Sequence, residues 1–484
     1  MRRTTAIIAT ATCGALCGML LGFPWAADFA ALAPLTLFPL FWVYRSGSRL
    51  GSICLSALYT AFTLLVGLAW VYGGAVAHQG PGDYYTSFIA LLFQCAPYAI
   101  IGLIASYARN FPSALWSLTV ASLWTLCDFA RATLPLGIPY LQIGHALIDT
   151  PLVELARFGG TEALTFLCVA VAAALYELSL RPSRLRSIAW VAFAALFATN
   201  ILTQNAKPTI TRGTLPITVL QLGTVDARIG TYLIASRKLG PAAGLAIWPE
   251  STIDLSDVPL SELLRTIARA RHAPMLVGGT ISDATGVHDA LEFISGDGNI
   301  RGYYAKRQLV PFGEYLPLPA LAHIIIPKTI VSTIPNLSPG REPVTFNVGG
   351  RTIGPLICYE SAFPGLARDE VRRGANLLVA ASNDSWFTQQ SGVWELEQTA
   401  RLVAIETGTP LILSGTVGPS GVIDANGKWV SSIAVGRLLR ATFFAPPAHP
   451  TFYDTVGDLP WICLIALIGT ACFLHSEKRR RDVT

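Results

Sequence analysis

The chain has 484 residues, 52% of them hydrophobic and 13% charged, with a mean hydropathy of +0.49 and a formal net charge of +5. A soluble globular domain is about 25% charged, so this composition excludes a protein wholly solvated by water. The net charge is small and the basic residues fall in loops between apolar runs, which excludes a nucleic-acid surface and suits membrane topology.

From the N-terminus, apolar runs near the roughly 20 residues that cross a bilayer predict spans at 6–22, 27–44, 51–76, 86–107, 113–131, 161–180 and 187–203, with an eighth near 459–475. The first run is short, but no small-x-small cleavage site precedes the next, so it is read as a span and not as a signal peptide. Arg2 and Arg3 precede the first span, Arg45 and Arg49 follow the second, and Arg109 follows the fourth. Arg181, Arg184 and Arg186 follow the sixth, and Lys478, Arg479, Arg480 and Arg481 follow the last. The alternate loops carry little beyond Arg131 and Arg157. Positive charge marks the cytoplasmic side, so both ends are expected there and 204–458 is expected outside. Three regions follow: a transmembrane domain of about seven helices (1–203), an external catalytic domain (204–458), and a last span with a basic cytoplasmic tail (459–484).

Residues 204–458 differ in character. Short apolar runs at 217–223, 245–250, 274–280, 352–360, 376–382 and 410–415 read as strands, with helical patterns near 257–271, 361–374 and 393–408. That alternation predicts an α/β domain, large enough to bury a full core. Of the nine cysteines, eight lie in the apolar runs. Cys358 is the only one between 204 and 458, so it has no disulfide partner in its own domain. A free thiol on an oxidising side is easier to justify as chemistry than as structure.

Cys358 ends the run TIGPLI ahead of YES and a helical segment, where a nucleophile is exposed beside backbone N–H donors; a buried inert thiol fits the spacing equally well. Glu250 ends LAIWPE at the carboxyl end of a strand, where α/β ligands bind. It suits a general base or, more plainly, a surface carboxylate before a helix. Lys306, in YYAKRQLVPFGEY (303–315), suits stabilisation of a thiolate and an oxyanion, or a solvated side chain beside Arg307. Glu314, eight residues on, suits orientation of Lys306 or substrate contact, or an ordinary loop carboxylate. Neither the cysteines nor the histidines have the spacing of a metal site, and no glycine-rich phosphate loop is present. No cofactor, metal, nucleotide or nucleic acid is therefore expected.

Together, LAIWPE, YYAKRQLVPFGEY, ICYE and SNDSWF (382–387) resemble the nitrilase, or carbon-nitrogen hydrolase, superfamily. The resemblance implies an αββα sandwich and a triad with Glu250 as base, Lys306 as oxyanion stabiliser and Cys358 as nucleophile. GFPW (22–25), LAPL (32–35), GIPYLQIGH (137–145) and GGTEALTF (159–166) are similar to the apolipoprotein N-acyltransferase branch, which places membrane spans around such a domain. That branch implies transfer of an acyl chain from a phospholipid, through a Cys358 thioester, to the amine of a diacylated lipoprotein. It also implies a bacterial inner membrane, a periplasmic catalytic domain and supporting roles for Tyr359, Glu360 and Trp386. The protein is expected to act as a monomer.

The stretch 392–421 departs from the branch: Thr409 and Leu413 stand where arginines are usual, the segment between Gln221 and Glu250 is shortened, and Thr224 replaces an asparagine. A membrane-bound nitrilase-type amidase or acyltransferase with another acceptor is the alternative. PLPALAHIIIP (317–327), apolar yet in an expected loop, reads either as a tip that dips into the headgroups or as a core-packed loop or ordinary buried helix. Gly137–Gly144 is expected to form part of an interfacial wall.

Overall fold

Three glycines at four-residue spacing decide how the helical half is laid down. In the computed structural model, which describes residues 3–71, 84–133, 137–180, 215–221, 229–387, 390–433, 439–444 and 447–481, helix α1 (Arg3–Gly22) packs on helix α3 (Arg49–Gly67) through Gly14, Gly18 and Gly22. A Cβ on Gly14 would lie 2.4 Å from the Tyr59 carbonyl oxygen, and one on Gly18 would lie 2.3 Å from that of Thr63. Small residues permit such backbone approach where lipid removes the hydrophobic drive for association. The contact order, 14 on 59 and 18 on 63, makes the two helices parallel. The chain returns between them as a 3-10 stretch, Pro24–Leu37, continuing into α2 (Phe38–Ser46).

Helices α4 (Tyr84–Tyr107), α5 (Ser113–Thr133) and α6 (Ala156–Ser179) complete this half, and α14 (Leu459–Arg481) lies against it. Arg45, Arg49 and Arg109 gather at one end. Arg45 pairs with Glu177 at 2.7 Å and lies over the Trp116 ring, Arg109 donates to the Gly47 carbonyl, and Arg49 lies over Tyr107. Among the described residues, six segments are long and apolar enough to cross a membrane: Arg3–Gly22, Pro24–Ser46, Arg49–Gly67, Ser87–Asn110, Pro151–Ser179 and Leu459–Lys478.

The expected fifth span, 113–131, is helical as α5 but is not among these six. It buries Asp128 and Arg131 in its last turns, 3.8 Å apart, which lowers its hydropathy. The expected seventh span at 187–203, with Arg181, Arg184 and Arg186, lies outside the described residues, as do 72–76 of the third span and Thr224.

The second half is two sheets face to face. One joins β1 (Pro216–Gln221), β2 (Leu245–Ile247), β3 (Ile253–Asp254), β4 (Met275–Asp283), β5 (Gly286–Ile294), β6 (Ile300–Ala305) and β13 (Leu439–Phe444), in the order β13-β1-β2-β4-β5-β6 with β3 on β4. The other runs β12-β11-β10-β9-β8-β7, formed by β7 (Phe346–Val348), β8 (Arg351–Ile357), β9 (Leu377–Ser382), β10 (Leu411–Gly415), β11 (Ser420–Ile423) and β12 (Trp429–Ile433). Ile217, Val219, Leu291, Ile353, Val379 and Ile412 fill the space between the sheets. Helices α7 (Ile229–Arg237) and α8 (Val258–Arg271) cover the first sheet through Leu233, Leu264 and Ile267. Helices α11 (Pro364–Arg372) and α12 (Gln390–Thr407) cover the second through Ala367, Leu396 and Val403. The result is the expected αββα sandwich beside a multi-span helical domain.

The sandwich sits on the end of the bundle away from Arg45, Arg49 and Arg109. Thr161 donates its N–H and hydroxyl to Glu406 at 2.6 and 2.7 Å, Arg401 pairs with Asp149, and Leu402 and Ile405 share one core with Leu141 and Ala156. Gly18→Leu is expected to cost about 1–3 kcal/mol through overpacking of α1 on α3, read as an earlier midpoint of denaturing-detergent unfolding, while Gly365→Ala, with open space around its Cβ, leaves that midpoint in place.

Candidate active site

Strand ends from both sheets converge on one buried ammonium. Glu250 follows β2 through Trp248 and Pro249; the Trp248 indole donates to Ser236 at 2.9 Å, and β4 meets the turn with Gly278, whose Cβ would lie 2.0 Å from the Pro249 carbonyl oxygen. Lys306 follows β6, its N–H donating to the Asp289 carbonyl at 2.8 Å and its carbonyl accepting from Gly340 at 2.7 Å. Its side chain is fully buried, and Nζ lies 2.8 Å from Glu250 Oε1, 2.5 Å from Glu314 Oε1 and 3.7 Å from Asp289 Oδ2. Glu314 is held in turn by the Val310 N–H at 2.9 Å.

Cys358 is the first residue after β8 and opens a single 3-10 turn, Cys358–Ala362. Its φ of +49° is a left-handed conformation that costs a non-glycine residue. Glu360 maintains it. One carboxylate oxygen accepts the N–H groups of Arg307 and Gln308 at 2.6 and 3.0 Å, the other accepts that of Ile357 at 2.8 Å, and both accept from the Tyr304 hydroxyl. This buried side chain ties the lysine segment to the cysteine turn and is a positioning group. Ser382 Oγ lies 3.3 Å from Cys358 Sγ and 2.6 Å from Asp384 Oδ1, and the Asn383 N–H donates to Glu250 Oε2 at 2.7 Å.

Burial alone would pull the Lys306 ammonium down, but Glu250 and Glu314 hold it well above its ordinary value. Burial pushes Glu250 up; Lys306 and its hydrogen-bond donors outweigh that, and the net direction is down. The Cys358 thiol is driven well above its ordinary value by burial first and then by Glu250. At rest the site therefore holds an ionised carboxylate, an ammonium and a neutral thiol, the arrangement in which a base must accompany the nucleophile.

Glu250, Glu314 and Cys358 open on a cleft of ≈ 1560 Å³ empty volume. Trp70, Ala90, Ile138 and Tyr140 from the helical half face Val310, Phe312 and Phe387 from the sandwich. Tyr359 also lines it; its hydroxyl donates to the Gly137 carbonyl at 2.6 Å and its ring packs on Tyr140 and Phe363, bonding the cysteine turn to the 137–144 wall. Trp386 stands at the rim, 37% exposed. The apolar stretch 317–327 is a helix packed into a small core on one face. It forms α9 (Pro319–Ile325), whose Ala322, with Ile326, packs over Phe312 and against Ile89 and Ala90 of α4, leaving Ile324 82% exposed. Thr409 and Leu413 are buried away from the cleft lining.

Sequence reading passed over Asp289, Ser382, Asn383 and Asp384. The last three sit inside the quoted SNDSWF run, where only Trp386 drew notice. Asp384 is cradled by Gly415 and Gly418, whose Cβ atoms would occupy its carboxylate, and burial pushes it up to about 7. Asp289 lies inside β5 with nothing in its neighbours to mark it.

The family model for the apolipoprotein N-acyltransferase N-terminal domain matches residues 17–174, and that for carbon-nitrogen hydrolase matches residues 218–435. Apolipoprotein N-acyltransferase of Bradyrhizobium diazoefficiens is 30% identical over 422 residues, covering 77% of this chain and 78% of its own. That of Haemophilus influenzae is 26% identical over 483 residues, covering 93% and 91%. Among solved structures, an amidase from Nesterenkonia sp. aligns with a TM-score of 0.38 and 18% identity over 51% of this chain and 95% of its own.

Because the resting thiol is held neutral, alkylation of Cys358 by iodoacetamide should climb with pH through 9 without a plateau. Glu250→Gln removes a charge that raises the thiol, so the climb should move to lower pH; an unmoved or upward-shifted profile would contradict this electrostatic reading.

Proposed function

This chain belongs to the apolipoprotein N-acyltransferase family, and from that premise we propose that it moves a fatty acyl chain from a membrane phospholipid, through a thioester on Cys358, to the N-terminal amine of a diacylated lipoprotein. One observation carries the reading: Cys358, Glu250 and Glu314 open on an apolar cleft walled on one side by the membrane helices and on the other by the sandwich. A nucleophile there meets an ester at the bilayer surface while the acyl chain stays in apolar surroundings.

In the first half-reaction Glu250 takes the thiol proton as Cys358 Sγ attacks the ester carbonyl. The oxyanion that develops is met by Lys306 Nζ, fixed in advance by its carboxylates and so needing no reorganisation. The C–O bond breaks, Glu250 returns the proton to the departing lysophospholipid oxygen, and the thioester remains. In the second half the acceptor amine attacks the thioester, Glu250 takes a proton from nitrogen, and the C–S bond breaks as that proton passes to sulfur. Glu314 holds Lys306 against Glu250, Glu360 holds the cysteine turn, and Tyr359 and Trp386 shape the acyl-chain end of the cleft.

The arginines gathered at the far end of the bundle support placing that end in the cytoplasm and the sandwich in the periplasm of a bacterial inner membrane. Incubation with radiolabelled phosphatidylethanolamine should leave an acyl group on the full-length protein that neutral hydroxylamine removes. Cys358→Ala should abolish the label, and Glu250→Gln should slow its formation by roughly 10²–10⁴. A wild-type protein that stays unlabelled while a control enzyme is labelled would refute the proposal.

A further inference from the structure

The carboxylates around Lys306 outnumber the cation they touch. Glu250, Asp289 and Glu314 each bring an oxygen within 4.8 Å of the others, and Lys306 Nζ sits among them. Glu250 and Glu314 both make close bonds to Nζ. Asp289 does not: Oδ2 is 3.7 Å away, its carboxyl shares a hydrogen bond with that of Glu250, and Oδ1, in a side chain only 4% exposed, has no hydrogen-bond partner although the residue lines the cleft. Its fixed structural task is done by its backbone carbonyl, which accepts from the Lys306 N–H. A buried carboxylate oxygen without a partner costs free energy unless something else completes it. Position, charge and the empty lone pairs all favour a cation arriving through the cleft.

We propose that Asp289 is the docking and proton-accepting group for the acceptor's amino group, the feature that makes this site select an amine over water. The inference rests on the acyltransferase reading above. An α-amine has an ordinary pKa of about 7.7–8.0, so the acceptor arrives largely as an ammonium, which cannot attack. Two protons must leave its nitrogen before an amide exists, and Glu250 can hold only one. Asp289 takes the first, converting R–NH3⁺ and a carboxylate into R–NH2 and a carboxylic acid. The amine then attacks the thioester, the N–C bond forms, Glu250 takes the second proton and passes it to sulfur as the C–S bond breaks. Asp289 loses its proton to solvent through the cleft. Burial, reinforced by Glu250, already holds the Asp289 carboxyl well above its usual range, so it has the proton affinity the step needs. The free amine beside a carboxylic acid has the same composition as the ammonium beside a carboxylate. Before the acceptor arrives Asp289 carries a proton; that proton leaves to solvent as the ammonium docks, and Asp289 then takes one back from nitrogen.

The test uses full-length enzyme in detergent, acylated from phosphatidylethanolamine, with a diacylglyceryl-cysteinyl peptide as amine acceptor and hydroxylamine as an uncharged one. In Asp289→Asn, KM for the peptide at pH 7 should rise roughly tenfold to a hundredfold, the scale of a lost charged hydrogen bond, a loss at least about fivefold greater than any change in thioester formation or in its cleavage by hydroxylamine. An unchanged peptide KM, or equal losses with both acceptors, would overturn the assignment and leave the acyltransferase reading intact; a wild-type enzyme that never acylates would remove both. A second measurement needs no variant. The N,N-dimethylated peptide, a cation that forms no stable amide, should inhibit wild-type transfer at a concentration about tenfold lower than the deamino peptide, and equal inhibition by the two would also overturn the assignment.

Discussion

The catalytic half is organised by the need to keep one ammonium charged without water. A lysine buried to the depth of Lys306 pays a desolvation cost of several kcal/mol, and only close, well-aligned carboxylates offset it. Those partners come from different places: Glu250 from the end of β2 and Glu314 from the loop beyond β6. Each must be carried to Nζ by the fold, and each is then bonded elsewhere so that it cannot turn away. Asn383, at the end of β9 in the opposite sheet, fixes Glu250, and the Val310 amide fixes Glu314. The sandwich can thus be seen as a frame that brings strand ends from two sheets to one point. The strained backbone at Cys358 is tolerated because Glu360 bonds both the strand before it and the segment after Lys306.

The same logic extends across the junction between the two halves. Tyr359, beside Cys358, bonds Gly137 of the helical half, and Glu406 of α12 bonds Thr161 at the kinked start of α6. These bonds fix the height of the thiol above the helix ends without help from the acyl donor. Preorganisation of this kind is what an enzyme acting on an interfacial ester needs, since any tilt of the sandwich would carry the nucleophile away from the bond it attacks.

Much of this was legible in the sequence, and the failures have physical reasons. Glu250 and Cys358 mark themselves by closing apolar runs and Lys306 by its place in YYAKRQLVPFGEY, while the α/β class follows from alternating strands and helices and the αββα layering from the resemblance. Strands β5 and β6 were not read, since 286–305 carries polar and charged residues at positions that the fold turns toward a hairpin edge or the site. Asp289 was invisible for the same reason: an acid inside a strand has no local mark, and its meaning comes from Lys306 seventeen residues on. Glu360 has only a supporting role by resemblance, and the means of that support lies in bonds to residues 304–308, which only the fold brings near. In α5, hydropathy registered an apolar run but gave no hint that Asp128 and Arg131 would be buried together at its end.

The parallel pairing of α1 with α3 bears on how the chain assembles. Synthesis runs from the N-terminus, so the glycine face of α1 enters the bilayer before its groove on α3 has been made. The helix translated between them, Pro24–Ser46, has to turn back across the membrane first. Biogenesis therefore passes through a stage in which the first helix is inserted but unmated, and its final neighbour is chosen only when the third one threads in beside it.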